Sequence, residues 1–290
     1  MKLTLTAPTL ALALSIVSCY GPGKHTLTKS EDTPIVAPDP LPVDPTIRRI
    51  LVVGAAGTVG SSVVNGLKDR YEVRGLDIKQ MPGIEDAIVG SVLDFDTCLK
   101  ATEGMDAVIY LVNIGTKRDW WEDLHDNMMG TRNIFEAARQ SGVLRVAYSS
   151  ETGVMGPLPI EVQRTVGLHT RPAAGYPMSK VFGEKLGYLY SSKYNIGFVS
   201  VRIGRIDPNG EAGSGSVEPL HPYDLSHADA VRVFERAVVH PGVKYEIVFG
   251  VSDSSWELLD LDHGRRVINY FPQDRSVLEP HDSVSAKKGP

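Results

Sequence analysis

The sequence predicts an α/β fold, a doubly wound parallel sheet with a small C-terminal cap. Short apolar strands alternate with amphipathic helices from Arg48 onward, an order typical of βαβ units. A glycine-rich turn joins the first strand to the first helix. The segment "MDAVIYLVN" has almost no polar residue, as expected where helices cover both faces of a parallel sheet.

The individual elements follow from their patterns. The apolar segment "RILVV" is predicted as the first strand, and "YEVRGLDI" as the second. Between them, Val59, Val63, Val64 and Leu67 lie on one side of a helix. The segment "MGTRNIFEAARQSG" predicts a helix that ends at Gly142. Strand "VLRVAYSS", a helix from about 176 to 194, strand "IGFVSVRIG", helix "SHADAVRVFERAVVH" and strand "KYEIVFGV" complete the order.

The N-terminal region differs in composition from the rest of the chain. Residues 1–19 contain a basic residue at Lys2, an apolar run and a small residue before Cys19, which resembles a bacterial lipoprotein signal lipidated at Cys19. An ordinary cleaved signal, a short anchor and an organelle-targeting peptide are the alternatives. We therefore expect an exported or membrane-anchored protein if the signal is used, and a cytoplasmic one otherwise.

The predicted organisation has five parts. The signal is followed by a disordered, proline-rich tether over residues 20–47, which has too few apolar residues to pack. A nucleotide-binding domain is predicted over residues 48–203. Residues 204–280 are predicted to form a substrate cap together with the last elements of the sheet, before a disordered tail at 281–290.

Charge and cysteine content exclude several classes of function. The net charge of −5 offers no basic surface for nucleic acid, so no nucleic-acid partner is predicted. The two cysteines cannot build a disulfide framework or a cysteine-rich metal site, and no metal site is expected from the histidine spacing.

The glycine-rich turn "GAAGTVG" predicts binding of a dinucleotide. Gly54 suits a tight turn, Gly57 a close approach to a pyrophosphate, and Gly60 close packing of helix on strand. Asp77 ends the second strand, where a carboxylate can accept hydrogen bonds from ribose hydroxyls. That charge would repel the extra phosphate of NADP, so NAD is the predicted cofactor.

Tyr176 and Lys180 lie one helical turn apart, so their side chains share a face. A phenol needs a nearby cation to act as a base at neutral pH, and the ammonium of Lys180 can provide it. Tyr20 and Lys24 have the same spacing in "CYGPGK", where glycine and proline disfavour a helix. Only the pair at 176 and 180 follows a strand of the alternating pattern.

These motifs together resemble the extended short-chain dehydrogenase/reductase family, also called the NAD-dependent epimerase/dehydratase family. The resemblance covers about residues 50–278 and rests on "GAAGTVG", "NMMGTRNIFEAA", "VAYSSETGVMG", "YPMSKVFGEK" and "VRIGRI". It implies a Rossmann-type fold and a homodimer through the helix that carries Tyr176. It implies Tyr176 as base, Lys180 as its activator and Ser150 as the residue that orients the substrate hydroxyl. The cofactor contacts it implies are Gly54, Gly57, Thr58, Val59, Gly60, Asp77, Asp94, Leu111, Tyr176 and Lys180.

The uronate dehydrogenase branch of this family is the most similar, which implies oxidation of a sugar or sugar acid. The chain departs from it at Glu151 and Thr152, where that branch usually has Asn-His, and Glu151 occupies the position of the serine of many relatives. Thr152 is the second candidate to orient the substrate hydroxyl. Glu151, Thr152 and Arg205 are candidate substrate contacts. A sugar epimerase or dehydratase, and a non-catalytic NAD-binding scaffold or sensor, are the alternative functions.

Overall fold

A seven-stranded parallel sheet forms the centre of the molecule in the computed structural model, which describes residues 36–115, 119–159, 162–206 and 221–276. The strand order is β3-β2-β1-β4-β5-β6-β7, so the predicted doubly wound sheet is confirmed. The strands are β1 (Arg49–Val53), β2 (Glu72–Asp77), β3 (Asp86–Val89), β4 (Ala107–Tyr110), β5 (Arg145–Glu151), β6 (Gly197–Ile203) and β7 (Tyr245–Gly250).

Helices cover both faces of the sheet. On one face α1 (Thr58–Leu67) packs against α5 (His227–Val239). The other face carries α2 (Phe95–Thr102), α3 (Trp120–Gln140) and α4 (Gly175–Tyr194). A hydrophobic core lies on each face of the sheet. Of the adjacent residues of β4, Ile109 packs in the core under α1 and α5, and Tyr110 packs in the core on the opposite face. Burial on both sides explains why this strand lacks polar residues.

Helix α3 begins nine residues earlier than the apolar spacing predicts. The amide of Asn127 fixes this earlier part, because it donates to the carbonyls of Ile114 and Asp123 and its oxygen accepts from the Ile114 amide. Trp120 and Trp121 begin the helix, and both remain 59% exposed. The start of α3 is held by the Asn127 amide, and its two tryptophans are exposed. This part of the helix therefore has no apolar periodicity from which it could be predicted.

The folded domain includes residues that precede the predicted boundary at residue 48. Arg236 of α5 donates to the Pro42 carbonyl at 2.7 Å, and the Asp44 amide donates to the Val239 carbonyl at 2.7 Å. Ile47 is buried in the core beneath α1 and α5. Residues 42–47 of the predicted tether are therefore part of the folded domain, because hydrogen bonds to α5 and the buried side chain of Ile47 hold them.

Within residues 204–280, α5 and β7 are the last elements of the central sheet domain. After β7, two short parallel strands, β8 (Asp253–Ser254) and β9 (Arg275–Ser276), flank α6 (Asp262–Ile268). The buried carboxylate of Asp229 accepts from the Ser252 hydroxyl and from the amides of Gln273 and Asp274. This carboxylate ties the C-terminal segment to α5, so the segment is an extension of the sheet domain. None of the helices in the described ranges is long and apolar enough to cross a membrane.

Candidate active site

The carboxyl ends of β1, β4 and β5 meet at one edge of the parallel sheet. The strand order reverses between β1 and β4, and sheets of this kind bind ligands in the crevice at such a reversal. The glycine-rich turn follows β1, Leu111 and Val112 follow β4, and Glu151 ends β5. The glycine-rich turn, Leu111 and Glu151 therefore lie at the same edge of the sheet, around this crevice.

The glycine-rich turn has the shape that a pyrophosphate requires. Gly54 has φ of +86°, a left-handed conformation that glycine adopts without strain. Helix α1 begins after Gly57 without a side-chain cap, so the amides of its first turn are available to an anion. Thr58, Val59 and Gly60 form that turn. The main chain of Leu111 lies 3.3 Å from the position that a Cβ on Gly54 would occupy, so both meet at the crevice. The turn fits the dinucleotide predicted from the sequence.

We expect Gly60→Ala to destabilise the fold and to weaken NAD binding. A Cβ at residue 60 would lie 2.0 Å from the Gly54 carbonyl oxygen, so the helix or the turn must move. Alanine in place of glycine favours a helix by up to ~1 kcal/mol, whereas overpacking of this kind costs ~1–3 kcal/mol or more. Urea unfolding and NAD titration measure the two effects. Gly167→Ala is the matched control, since nothing lies within 4 Å of the added Cβ; equal stability of the two variants would contradict the expectation.

Asp77 and Asp94 both lie near the crevice, in different roles. One Asp77 carboxylate oxygen accepts from the Ala56 amide at 3.0 Å and the other from the Lys79 amide at 2.9 Å, so the carboxylate lies directly against the glycine-rich turn. Asp94 caps α2, accepting from the Asp96 amide and the Thr97 hydroxyl. The Thr97 hydrogen bond lowers the pKa of Asp94. Asp94 is exposed after β3, at the side of the crevice implied for the adenine.

Asp77→Ala is expected to weaken NAD binding by roughly tenfold to a hundredfold, as is usual when charge-assisted hydrogen bonds worth ~1.5–3 kcal/mol are lost. The same change removes the charge that repels the NADP phosphate, so the ratio of NAD to NADP affinity should fall. Isothermal titration with both cofactors measures this ratio. Asp69→Asn, an exposed carboxylate at the other end of α1, should leave both affinities unchanged. An unchanged ratio in Asp77→Ala would exclude Asp77 from cofactor selection.

Tyr176 and Lys180 lie in the first two turns of α4. The Lys180 ammonium is buried and donates to the Val112 carbonyl at 3.0 Å, directly after β4. It lies 5.2 Å from the ring centre of Tyr176 and 5.0 Å from that of Tyr148, close enough for cation-π attraction to both rings. The predicted pair is thus assembled on one helix face at the mouth of the crevice, with Lys180 behind Tyr176.

Burial shifts the proton affinities of both groups. Desolvation lowers the pKa of Lys180 to about 7, and the charge of Glu151 opposes this shift. Desolvation, with a smaller contribution from Glu151, raises the pKa of Tyr176 well above its usual value. Strongly perturbed groups that share a cleft are typical of active sites. Burial thus disfavours the ammonium form of Lys180. A negatively charged phenolate at Tyr176 would stabilise that ammonium.

Ser150 does not face the crevice, contrary to its predicted role. Its side chain is fully buried, and its hydroxyl donates to Glu184 of α4 at 2.7 Å. Glu184 forms a bidentate ion pair with Arg202 of β6 at 2.8 and 3.0 Å, and both side chains are also buried. Ser150 therefore joins β5 to a buried ion pair and is not placed to orient a substrate hydroxyl.

The ion pair between Glu184 and Arg202 was not predicted from the sequence. Glu184 follows Lys180 by four residues, so it lies one turn further along the same helix face. The ion pair connects α4 to β6, and it thereby helps to fix the position of Tyr176 and Lys180 relative to the sheet. The four-residue spacing of Tyr176, Lys180 and Glu184 could have indicated that Glu184 lies on the same helix face. It could not identify Arg202 as the partner, because Arg202 is on a strand that lies later in the sequence.

Glu151, rather than Ser150, ends β5 beside Tyr176 and Lys180. Its side chain is half-buried, and burial raises the pKa of its carboxyl while Lys180 opposes the shift. One carboxylate oxygen, Oε1, is shielded from solvent, and none of the described residues donates a hydrogen bond to it. Thr152, also half-buried, follows as the first residue of a 3-10 turn, Thr152–Met155.

Arg205 is engaged in a bidentate ion pair with Asp224, at 2.9 and 3.0 Å. The pair joins the segment after β6 to the segment before α5. This partner largely compensates the charge that a substrate carboxylate would use, so Arg205 is a weaker candidate substrate contact than its sequence position suggested. Cys19 lies outside the described residues. Among the described side chains, no group of three or more His, Cys, Asp or Glu could hold a metal ion.

Sequence comparison agrees with this geometry. The model of the NAD dependent epimerase/dehydratase family matches residues 50–210. A uronate dehydrogenase from Pseudomonas syringae pv. tomato is 32% identical over 237 residues, which cover 79% of this chain and 83% of that protein. An NAD-dependent glucose-6-phosphate dehydrogenase from Haloferax volcanii is 29% identical over 256 residues, covering 79% of this chain and 94% of that protein.

Structural comparison gives the same relationship. A mutant uronate dehydrogenase from Agrobacterium tumefaciens, complexed with NAD, superposes with a TM-score of 0.72 at 25% identity. The superposition covers 84% of this chain and 91% of that one. The predicted Rossmann-type fold, the NAD cofactor and the assignment as an NAD-dependent dehydrogenase or epimerase are confirmed. With a family match over more than half of its length and a 32% identical relative over 79% of it, the chain belongs to the NAD-dependent epimerase/dehydratase family, the extended short-chain dehydrogenases/reductases.

Proposed function

We propose that the protein is an NAD-dependent dehydrogenase that oxidises a carbinol of a sugar acid, with hexuronates as the first substrates to test. The carrying observation is the buried Lys180 ammonium, held on the Val112 carbonyl behind Tyr176. The same sheet edge carries the glycine-rich turn. This arrangement supports hydride transfer with Tyr176 as the proton acceptor.

The reaction divides into one proton and one hydride. The substrate hydroxyl transfers its proton to the Tyr176 oxygen, while the carbon that bears it loses a hydride and becomes a carbonyl. NAD, when bound, supplies the hydride acceptor and a positive charge in the site. Lys180 favours the phenolate through its charge, and the amides of the first turn of α1, with Asp77, would hold the cofactor.

The relatives and the size of the C-terminal segment support a small sugar acid. The two relatives above are named as dehydrogenases of uronate and of glucose 6-phosphate. Only about 75 residues follow Gly204 before Leu278, and α5 and β7 belong to the sheet, so little chain is left to hold a nucleotide. Arg171 is exposed, and its amide is bonded to Val154 of the 3-10 turn after Glu151. We assign the substrate carboxylate to Arg171 rather than to Arg205.

The test follows NADH formation by the purified protein with hexuronates, the matching neutral hexoses and polyols. We expect turnover of at least one hexuronate, with a lower KM than that of the hexose, and we expect Arg171→Gln to remove this difference. A panel without net NADH, but with conversion between sugar epimers, would instead establish an epimerase. NAD binding without any conversion would establish a non-catalytic scaffold or sensor.

We also propose a homodimer through α4. The outer faces of α3 and α4, which pack together, carry exposed apolar side chains, an arrangement common at homodimer interfaces. They are Trp121, Met129, Met178, Tyr188 and Leu189. Sedimentation should give twice the chain mass, and Leu189→Glu should give a monomer; a monomeric wild-type protein would reject the interface.

Finally, we propose export with lipidation at Cys19, on the basis of the sequence pattern alone. An exported enzyme has no cytosolic pool of NAD, so we expect slow release of the bound cofactor. Incorporation of labelled palmitate in the wild-type chain, and its loss in Cys19→Ala, would support the anchor. Unlabelled protein in the cytosolic fraction, or rapid NAD exchange, would count against it.

A further inference from the structure

Glu151 carries an acceptor oxygen without a hydrogen-bond donor among the described residues, and its carboxylate interacts electrostatically with Tyr176 and Lys180. Its carboxylate folds back over Gly153, 3.3 Å from the position that a Cβ on that glycine would occupy. Oε1 is shielded from solvent, and no described residue donates to it. Buried polar atoms are almost always hydrogen-bonded in native proteins, so an acceptor of this kind beside a reaction centre suggests that a ligand provides the donor.

Burial raises the pKa of the Glu151 carboxyl, and one neighbouring charge opposes this shift. The Lys180 ammonium attracts the carboxylate and so opposes the effect of burial. Tyr176 is the other group of α4 that interacts electrostatically with Glu151. An ionised carboxylate accepts hydrogen bonds and donates none, whereas the serine expected at this position could do both. In its ionised form Glu151 therefore accepts from a ligand but cannot donate to the reacting oxygen as that serine would.

The proton count of the substrate decides which hydroxyl can reach Glu151. The reacting hydroxyl has a single proton, and the proposed oxidation delivers that proton to Tyr176. A donor for Glu151 must therefore come from another group, and the nearest one on a sugar is the hydroxyl of the adjacent carbon. The negative charge also repels a substrate carboxylate attached directly to the reacting carbon.

We propose that Glu151 is a specificity-determining residue that accepts a hydrogen bond from the hydroxyl vicinal to the oxidised carbon. The inference rests on the proposed dehydrogenase function and narrows its substrate class. That class is polyhydroxylated sugars or sugar acids with a free vicinal hydroxyl and with any carboxylate remote from the reacting carbon. A hexuronate oxidised at C1 meets both conditions, because its carboxylate is at C6. Simple 2-hydroxy acids fail both.

The test compares a sugar with its 2-deoxy analogue in three forms of the protein. The probes are D-glucuronate and 2-deoxy-D-glucuronate, or glucose and 2-deoxyglucose if only hexoses are oxidised. In the wild-type protein we expect kcat/KM to be roughly tenfold to a hundredfold higher for the sugar that keeps the hydroxyl, the range for a hydrogen bond to a charged group. In Glu151→Ala the ratio of the two kcat/KM values should fall to the value set by the intrinsic reactivities of the two sugars. In Glu151→Gln, which keeps an uncharged acceptor oxygen, the ratio should be intermediate.

Comparing ratios between variants removes the intrinsic difference in reactivity between the two sugars. Glu85→Gln, an exposed acid near β3, is the matched control and should keep the wild-type ratio. An unchanged ratio in Glu151→Ala, or oxidation of lactate at a rate similar to that of the sugar, overturns the inference but leaves the dehydrogenase function intact. Absence of wild-type turnover on the whole panel rejects the proposed function, and this inference with it.

Discussion

Tyr176→Phe is expected to lower kcat by ~10³-fold, because a positioned acid or base typically contributes 10²–10⁴-fold to a rate. The variant keeps the ring that lies over the Lys180 ammonium, so the packing of α4 and the cation-π contact remain. It loses only the oxygen that is proposed to accept the substrate proton. Stopped-flow measurement of NADH formation should therefore show a slow chemical step, while the affinity for NAD is nearly unchanged.

The control for this variant is Tyr194→Phe at the end of the same helix, where the tyrosine is 39% exposed. That change should leave kcat within about twofold, as expected for a surface site away from chemistry. If Tyr176→Phe retained the wild-type rate, the proton would have to pass to another group, and Tyr176 could not be the base. A parallel loss of NAD affinity would instead place the effect in the cofactor site.

Lys180→Met is expected to abolish turnover and, at pH 6 to 7, to raise the melting temperature by several degrees. Burial lowers the pKa of Lys180 from 10.5 to about 7, so the folded protein holds an ammonium that the unfolded chain would hold more easily. Methionine has a similar length and no charge to desolvate. A stability gain that accompanies lost activity is typical of residues kept for function.

The stability of the wild-type protein should depend on pH because the pKa of Lys180 differs between the folded and unfolded states. Between pH 7 and about 10.5 the unfolded chain still binds the lysine proton while the folded protein releases it, so wild-type stability should rise with pH in this window. Below pH 7 both states are protonated and the full cost of burial remains. Lys180→Met should lack the rise. Lys185→Met, an exposed lysine on the same helix, should keep the wild-type slope and melting temperature. A lower melting temperature in Lys180→Met would show that the ammonium is a net stabiliser.

The sequence alone determined the sheet and the main positions of the crevice. Apolar strands, the turn at Gly54 to Gly60 and the order of the βαβ units are local or nearly local patterns, and the structure follows them. Tyr176 and Lys180 were found for the same reason, since residues four apart on a helix share a face. Tyr20 and Lys24 have the same spacing and lie outside the described residues. Tyr176 and Lys180 could be distinguished from them because they follow β5 in the order of elements.

Only the tertiary structure decided which side chain of the segment Ser149 to Thr152 lies beside Tyr176 and Lys180. Adjacent residues of a strand face opposite sides, and which side a residue faces depends on partners far away in the sequence. The hydroxyl of Ser150 is directed to Glu184 because Arg202, on a different strand, fixes that carboxylate. Glu151 is therefore left at the strand end beside Tyr176 and Lys180. Long-range ion pairs of this kind have no local signature in the sequence, so the side chain that lies beside Tyr176 and Lys180 could be identified only from the folded structure.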